Sequence, residues 1–283
     1  MLLSNYYRSV LLLFGLIVVF SCQKHPALYK KDFTAEEKKK LAISLVDGLG
    51  NYYQGTPAQQ FLLREALRHD STNAQVWREL GVPYLKRGLA HEAMSKYYAR
   101  AVELDPVGWQ GWRGYLYLYF YRDYEHALAD FNATDTLTPD FVDYPQSLSV
   151  DYMRGICYLQ MEEFEQAVDF FDQHIAYETE TTGFDYIDSK TFLYKGIAQL
   201  KMEQPEPAKS TFEQGLLIDP TNADLLFWLG KTLYQLEEAD EARVKLEEAR
   251  AQFLKGNHNQ RPYVEEFYQT YLKEIDAQLN ITQ

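Results

Sequence analysis

The feature that most constrains this chain is a spacing. Glycine and alanine stand twelve residues apart four times: Gly81 and Ala93, Gly155 and Ala167, Gly196 and Ala208, Gly230 and Ala242. With Ala127 included, the alanines follow one another at intervals of 34, 40, 41 and 34 residues. Self-similarity at such a period belongs to a stack of small supersecondary units, none of which buries its apolar face alone. Around these small residues, apolar and aromatic side chains recur three and four apart, the spacing of one helix face. Each unit therefore reads as two helices that touch where the small residues lie. The two long intervals place insertions near 138–148 and 177–188.

One unit is complete enough to name. In AQVWRELGVPYLKRGLAHEAMSKYYARAVELDP, Trp77, Leu80, Gly81 and Tyr84 occupy positions 4, 7, 8 and 11, Ala93 occupies position 20, and Asp105-Pro106 closes the unit. This resembles a tetratricopeptide repeat. The skeleton recurs in Gly155, Tyr158, Phe164, Ala167 and Phe171, then in Gly196, Ala208, Phe212 and Asp219-Pro220. A further copy holds Leu229, Gly230, Leu233, Ala242, Leu246 and Ala249. The resemblance implies an all-α chain, a right-handed α-solenoid of helical hairpins over residues 35–255. Its units run about 35–73, 74–107, 108–140, 148–178, 189–221 and 222–255. Thr34 and Glu37 match a capping box and start the first helix at Ala35. At the other end, Pro262 stands at a helix start, and Val264, Phe267, Tyr271 and Ile275 share a face. They predict a capping helix over 260–280, which a solenoid needs to cover its last apolar face. Two details depart from the pattern. Pro83 inside a first helix predicts a kink or a delayed start, and one residue too many lies between Ala93 and Ala101.

The segment GWQGWRGYLYLYFYRDY, residues 108–124, is the least regular. Eight of its seventeen side chains are aromatic, and its alternation is locally strand-like. The repeats on both sides make it a helix, because a lone strand would have no partner. Counting back twelve from Ala127 puts Tyr115 where the pattern wants a small residue, with Gly111 and Gly114 at positions for large ones. In tetratricopeptide arrays, the resemblance implies, positions 2, 5, 9, 12 and 13 of the first helix face a concave groove. Here these are Trp109, Trp112, Leu116, Tyr119 and Phe120. The preceding unit contributes Gln75, Arg78, Val82, Leu85 and Lys86; the following one Ser149, Tyr152, Ile156, Leu159 and Gln160; and the last unit Phe227, Lys231 and Tyr234. The candidate partner-binding groove is thus aromatic in its middle and edged by cations. Aromatics at helical spacing are also what a core uses, so Trp109 and Trp112 are open to both readings.

The N-terminus, MLLSNYYRSVLLLFGLIVVFSCQKHP, reads as a processing signal. Arg8 precedes an eleven-residue apolar run from Val10 to Phe20, too short to span a bilayer. Val19-Phe20-Ser21-Cys22 resembles a bacterial lipobox. It implies a signal peptide over 1–21, lipidation of Cys22, and a lipid-anchored linker over 22–34. Several acyl chains on one residue hold a protein durably at a membrane. Gln23 after the cysteine implies the outer membrane, with the array facing the periplasm. Cys157, the other cysteine, sits in an apolar helical pattern and reads as a small buried hydrophobe.

Composition excludes some functions. The formal charge of -13 argues against nucleic acid, which wants a basic face. Twelve acidic residues lie between Asp140 and Asp188 with Arg154 as the single basic one, a solvated outer face or a surface for a basic partner. His91-Glu92-Ala93-Met94-Ser95 begins like a zinc-protease motif and ends in serine, so the second metal ligand is missing. No nucleophile elbow, dinucleotide loop or metal-ligand spacing occurs. The sequence predicts a non-catalytic scaffold without cofactor that binds an envelope protein or peptide. The alternative partner is a glycan stacked on groove aromatics.

Overall fold

The computed structural model describes residues 32–281, in which helices account for nearly all regular structure and no strand occurs. The lipobox and Cys22 lie outside the described residues. Helix α1 (Ala35–Asp47) starts at the expected capping box: the Thr34 hydroxyl accepts the Glu37 N–H at 3.2 Å, and the Glu37 carboxylate accepts the Thr34 N–H at 2.9 Å. It pairs with α2 (Pro57–His69). Five further hairpins follow: α3 (Ala74–Lys86) with α4 (90–104), α5 (106–121) with α6 (Tyr124–Leu137), and α7 (Val150–Gln160) with α8 (Phe164–Thr181). The last two are α9 (Lys190–Lys201) with α10 (Pro205–Ile218), and α11 (Ala223–Gln235) with α12 (Ala239–Leu254). Neighbouring helices in sequence are the main packing partners throughout.

Each of the five hairpins after the first is locked by a glycine on its first helix and a large side chain on its second. A Cβ on Gly155 would lie 2.6 Å from the Phe171 ring, on Gly81 2.9 Å from Tyr98, and on Gly230 2.7 Å from Leu246; Gly196 meets Phe212 in the same way. Tyr98, Phe171, Phe212 and Leu246 are fully buried, so the backbone approach replaces what a side chain would occupy.

In the aromatic hairpin this role falls to Gly114, whose added Cβ would sit 2.6 Å from Phe131. The expectation that Tyr115 holds the small-residue position is therefore off by one. The cause is an inserted residue. Residues Tyr117–Tyr121 form a π-helical turn, which takes up one residue more than an α turn. Gly114 to Ala127 is consequently thirteen residues instead of twelve. The left-handed residue between paired helices gives the same count: Glu162, Glu203 and Glu237 follow their glycines by seven residues, and Arg122 follows Gly114 by eight. A second π turn, Ala93–Tyr98, absorbs the extra residue between Ala93 and Ala101. Trp109 and Trp112 thus fall one position later than the sequence frame gave them.

Three other features of the sequence resolve locally. Pro83 does not delay or divide α3, which runs unbroken from Ala74 to Lys86; its ring packs against Gly55, where an added Cβ would be 3.0 Å away. The first insertion is a loop with a short 3-10 turn, Pro145–Ser147, and its Pro145 ring nests against Gly111 of α5. The second begins as an extension of α8 to Thr181. The Tyr144 hydroxyl donates to Glu178 at 2.6 Å and ties the two insertions together. Arg154, the lone cation of the acidic segment, is buried and donates to Asp151, Asn132 and the Phe131 carbonyl. The acidic surface therefore has no exposed lysine or arginine of its own segment. Cys157 is fully buried, and burial pushes its thiol well above the ordinary value.

The largest departure from expectation lies at the C-terminus. The capping helix does not span 260–280. Only Leu272–Ile281 is helical (α13), packed on α12 with Ile275 fully buried. Gly256, at φ 89°, turns the chain out of α12. Residues 257–271 then form an irregular strap whose Tyr263 and Tyr268 hold φ values of 72° and 49°. These left-handed residues cost conformational energy, and they persist because the strap is held by the solenoid at both ends and in the middle.

Candidate binding groove

The strap lies along the first helices of the units, the face the repeat pattern assigns to the groove. Its two ends are held by one carboxylate. Asp224, fully buried at the start of α11, accepts the Asn259 N–H at 2.7 Å and the Thr270 N–H at 3.1 Å. Burial raises the Asp224 carboxyl above its ordinary value despite these donors. The Ala223 N–H also donates to the Asn257 carbonyl at 2.8 Å.

The middle of the strap is an acidic–aromatic stretch. Glu266 is 3% exposed and receives Arg261 Nε at 2.7 Å and the Tyr194 hydroxyl at 3.2 Å, with Lys190 Nζ at 3.8 Å. Phe267 packs on the rings of Tyr119 and Tyr124, and Arg122 stacks on its other side at 3.8 Å. The Glu265 carbonyl accepts from Arg122, and Tyr268 meets Trp228 edge to face. Arg261 itself stacks on Tyr119 at 3.6 Å and donates to the Tyr115 hydroxyl at 3.1 Å.

The strap changes the standing of the groove residues read from the sequence. Tyr119, Tyr152 and Phe227 are buried, at 1%, 2% and 5% exposure, so none is a free binding surface. Tyr119 lies under Arg261 and Phe267. Tyr152 is enclosed by Phe171, His174 and Tyr194, and burial drives the hydroxyls of Tyr119, Tyr152 and Tyr194 far above their ordinary ionisation range. Phe227 and Lys231 border a separate recess shared with the strap and α13, where the Lys231 ammonium sits 4.2 Å from the Trp228 ring and burial lowers its pKa. Tyr234 is 39% exposed and lies away from both recesses.

Arg78, Trp109, Trp112 and Phe120 are brought together at the other end. There the strap stops short and a cleft of about 510 Å³ stays open between α3, α5, the 145–148 loop and Tyr263. Arg78, Val82, Leu85 and Lys86 from α3 line it, as the repeat pattern predicted for that unit. Trp112, Tyr115, Leu116 and Phe120 from α5 form the opposite wall. Both tryptophans are half-buried: the Arg78 guanidinium lies 4.4 Å from the Trp112 ring and 5.6 Å from the Trp109 ring. The two readings of these residues merge, since each ring packs on Arg78 with one part and meets solvent with another. Gln54, Gln146 and Gln260 add carboxamides from three separate connections. Every charged residue lining the cleft is a cation: Arg78, Lys86, Lys190 and Arg261. Tyr115 and the carboxamides escaped sequence reasoning. The usual spacing of sixteen from glycine to the large side chain, counted back from Phe131, falls on Tyr115 rather than Gly114 and so repeats the misplacement; no periodic signal marks the carboxamides or the strap.

Among the described residues, no group of three or more His, Cys, Asp and Glu side chains converges as a metal site, and no helix is long and apolar enough to cross a membrane.

Comparison with known proteins agrees with this geometry. A family model described as tetratricopeptide repeat matches residues 62–108 and 194–257. No curated protein sequence matches the chain. Among solved structures, the chain is similar to PilW, a widely conserved type IV pilus biogenesis factor, at 16% identity and a TM-score of 0.57, covering 79% of this chain and 96% of that one. It is similar to Pseudomonas aeruginosa PilF at 19% identity and a TM-score of 0.54, covering 78% and 92%. It is also similar to YrrB, a tetratricopeptide-repeat protein with an unusual peptide-binding site, at 18% identity and a TM-score of 0.50, covering 67% and 91%. These likenesses concern the fold. The described chain is therefore an α-solenoid of tetratricopeptide-type hairpins, with the repeat itself matched in sequence over 62–108 and 194–257.

Proposed function

We propose that this chain is a non-catalytic, membrane-anchored scaffold that binds an envelope protein or peptide in the open end of its groove. The observation that carries the reading is the cleft itself. It stands on the groove face of a tetratricopeptide-repeat fold, with the half-buried Trp112 ring under Arg78 at its wall. Partly exposed aromatics beside an arginine in a concavity are the side chains that dominate binding energy at protein interfaces. The lipobox-like sequence ending at Cys22, followed by Lys24, Lys30 and Lys31, supports an anchor at the outer membrane, with the array in the periplasm. One similar structure is named for a peptide-binding site and another for pilus biogenesis, which fits a peptide-accepting scaffold in an envelope.

A second reading has an observation in its favour. Gln54, Gln146 and Gln260 beside the Trp112 and Tyr115 rings are also what a sugar-binding site uses, carboxamides for hydroxyls and ring faces for the pyranose. The experiment is crosslinking of the full chain in its native envelope, beside a Trp112→Ala variant of unchanged fold. Capture of a specific protein by the parent and its loss in the variant supports the scaffold. Equal capture by both would remove the cleft from the reading. Specific glycan retention without any protein would favour the sugar.

A further inference from the structure

The strap is a ligand that the groove already holds, and its sequence shows which chemistry this groove accepts. Val264-Glu265-Glu266-Phe267-Tyr268 docks in a non-helical conformation. A carboxylate goes to Lys190 and the Tyr194 hydroxyl of the solenoid and to Arg261 of the strap itself, and the next side chain goes to an aromatic pocket closed by an arginine. The open cleft continues the same face beyond Tyr263 and repeats the same elements. Lys86 and Arg78 are its cations, and Trp112, Tyr115 and Phe120 are its rings.

Lys190 and Arg261 already meet Glu266 and Arg78 meets Glu79, whereas Lys86 meets no carboxylate among the described residues. Lys86 is exposed and has only an amide acceptor, the Gln54 carbonyl at 2.7 Å, with the Tyr263 ring 5.1 Å from its ammonium. Arg78 gives one nitrogen to Glu79, while its Nε is buried with no acceptor. The unpaired Lys86 ammonium and the acceptor-free Nε of Arg78 are the groups of this recess left to meet an anion. Such groups select anions at short range, within the screening length. The three carboxamides suit the alternating N–H and C=O groups of an extended backbone, as strand-like peptide recognition requires.

From this we infer that the cleft receives an internal acidic–aromatic peptide segment of a partner, laid end to end with the strap, its carboxylate meeting Lys86 and Arg78 and its ring meeting Trp112. The inference rests on the scaffold reading above and names the chemistry of the partner.

The test uses the full chain and a synthetic peptide of the strap's own sequence, Val-Glu-Glu-Phe-Tyr, acetylated and amidated so that no terminal charge contributes. Binding is followed by tryptophan fluorescence and by calorimetry. The expected result is saturable binding that weakens about tenfold or more in Lys86→Glu, a surface change that leaves the core alone, and equally when both glutamates of the peptide become lysines. Equal affinity for the acidic and basic peptides overturns the inference, as does absence of binding. Binding that ignores Lys86→Glu but tightens in Phe267→Ala also overturns it, because the peptide would then be replacing the strap. Binding of an oligogalacturonate in place of the peptide overturns it in favour of an acidic glycan. Loss of native partner capture in Trp112→Ala, with no acidic-peptide binding, would leave the scaffold reading standing and remove this one alone.

Discussion

The strap is held at both ends by a single buried carboxylate, so Asp224→Ala is the sharpest perturbation of its anchoring. The substitution leaves the N–H groups of Asn259 and Thr270 without their acceptor. A buried donor left unsatisfied costs about 1–3 kcal/mol. Two donors set an upper range of roughly 2–6 kcal/mol. An opposing effect reduces it. Burial raises the Asp224 carboxyl above its ordinary value, so ionising it there is already unfavourable, and removing the charge returns that penalty. The strap can also shift and admit water to the freed donors. The net expectation is a loss of about 2 kcal/mol, which in an array of this size lowers the melting temperature by about 4–8 °C. Asp224→Asn keeps one acceptor oxygen and turns an amide toward the other donor, so it should fall between parent and alanine. The assays are a thermal melt and chymotryptic nicking after Phe267, which is buried in the parent and should become cleavable in the alanine variant. An unchanged melt with unchanged nicking would refute the claim that Asp224 holds the strap.

Three further outcomes follow from the packing. Trp112→Ala should cost less than the about 3–5 kcal/mol of a fully buried ring, which Phe131→Ala should reach; equal melts for the two variants would make Trp112 plain core. Gly155→Val places a Cβ 2.6 Å from a Phe171 ring that has no room to move, an overpacking cost of about 1–3 kcal/mol, and a parent-like urea midpoint would contradict the interlock. His174 is buried, and burial lowers its pKa, so the folded state prefers the neutral ring. Its contribution is present above the ordinary histidine value of about 6.5 and is lost as pH falls through the depressed folded value. Urea midpoints from neutral to mildly acid pH should therefore decline less steeply in His174→Phe than in the parent, and parallel curves would rule out His174 as a source of acid sensitivity.

The solenoid was legible because its determinants are local and repeat. Gly81, Gly155, Gly196 and Gly230 announce where backbones approach, and Ala93, Ala167, Ala208 and Ala242 announce the facing helix. The register of α5 was not legible by counting back from Ala127. A π turn consumes one residue without leaving a mark in a periodicity argument, and the contact of Gly114 with Phe131 reveals it. Four of the five α3 positions, Arg78, Val82, Leu85 and Lys86, line the cleft and Gln75 does not; α3 carries no inserted residue before them, whereas the π turn displaces the count along α5. The strap misled for a physical reason. Pro262 and the spacing of Val264, Phe267, Tyr271 and Ile275 are a sound helix signal taken alone. The local preference loses to tertiary capture: Asp224, Arg122 and Tyr119 hold residues 259–270 in a shape that no short-range pattern encodes. That capture also buries Tyr119, while Tyr152 is enclosed by Phe171, His174 and Tyr194 and Phe227 clusters with Leu246 and Ile275, so none of the three is the groove surface that the repeat pattern offers.

The central claim is that the chain's own strap occupies the middle of its groove and leaves the cleft between α3 and α5 open. Amide hydrogen exchange of the full chain, resolved by mass spectrometry, tests it most directly, because exchange reports local opening segment by segment. The account predicts that peptides covering 258–271 are protected to the same degree as those of α11, and that this protection is lost together with α11 on unfolding. Fast exchange across 258–271 in a chain whose helices stay protected would contradict it, for the strap would then be a free tail and the whole groove would be open to partners.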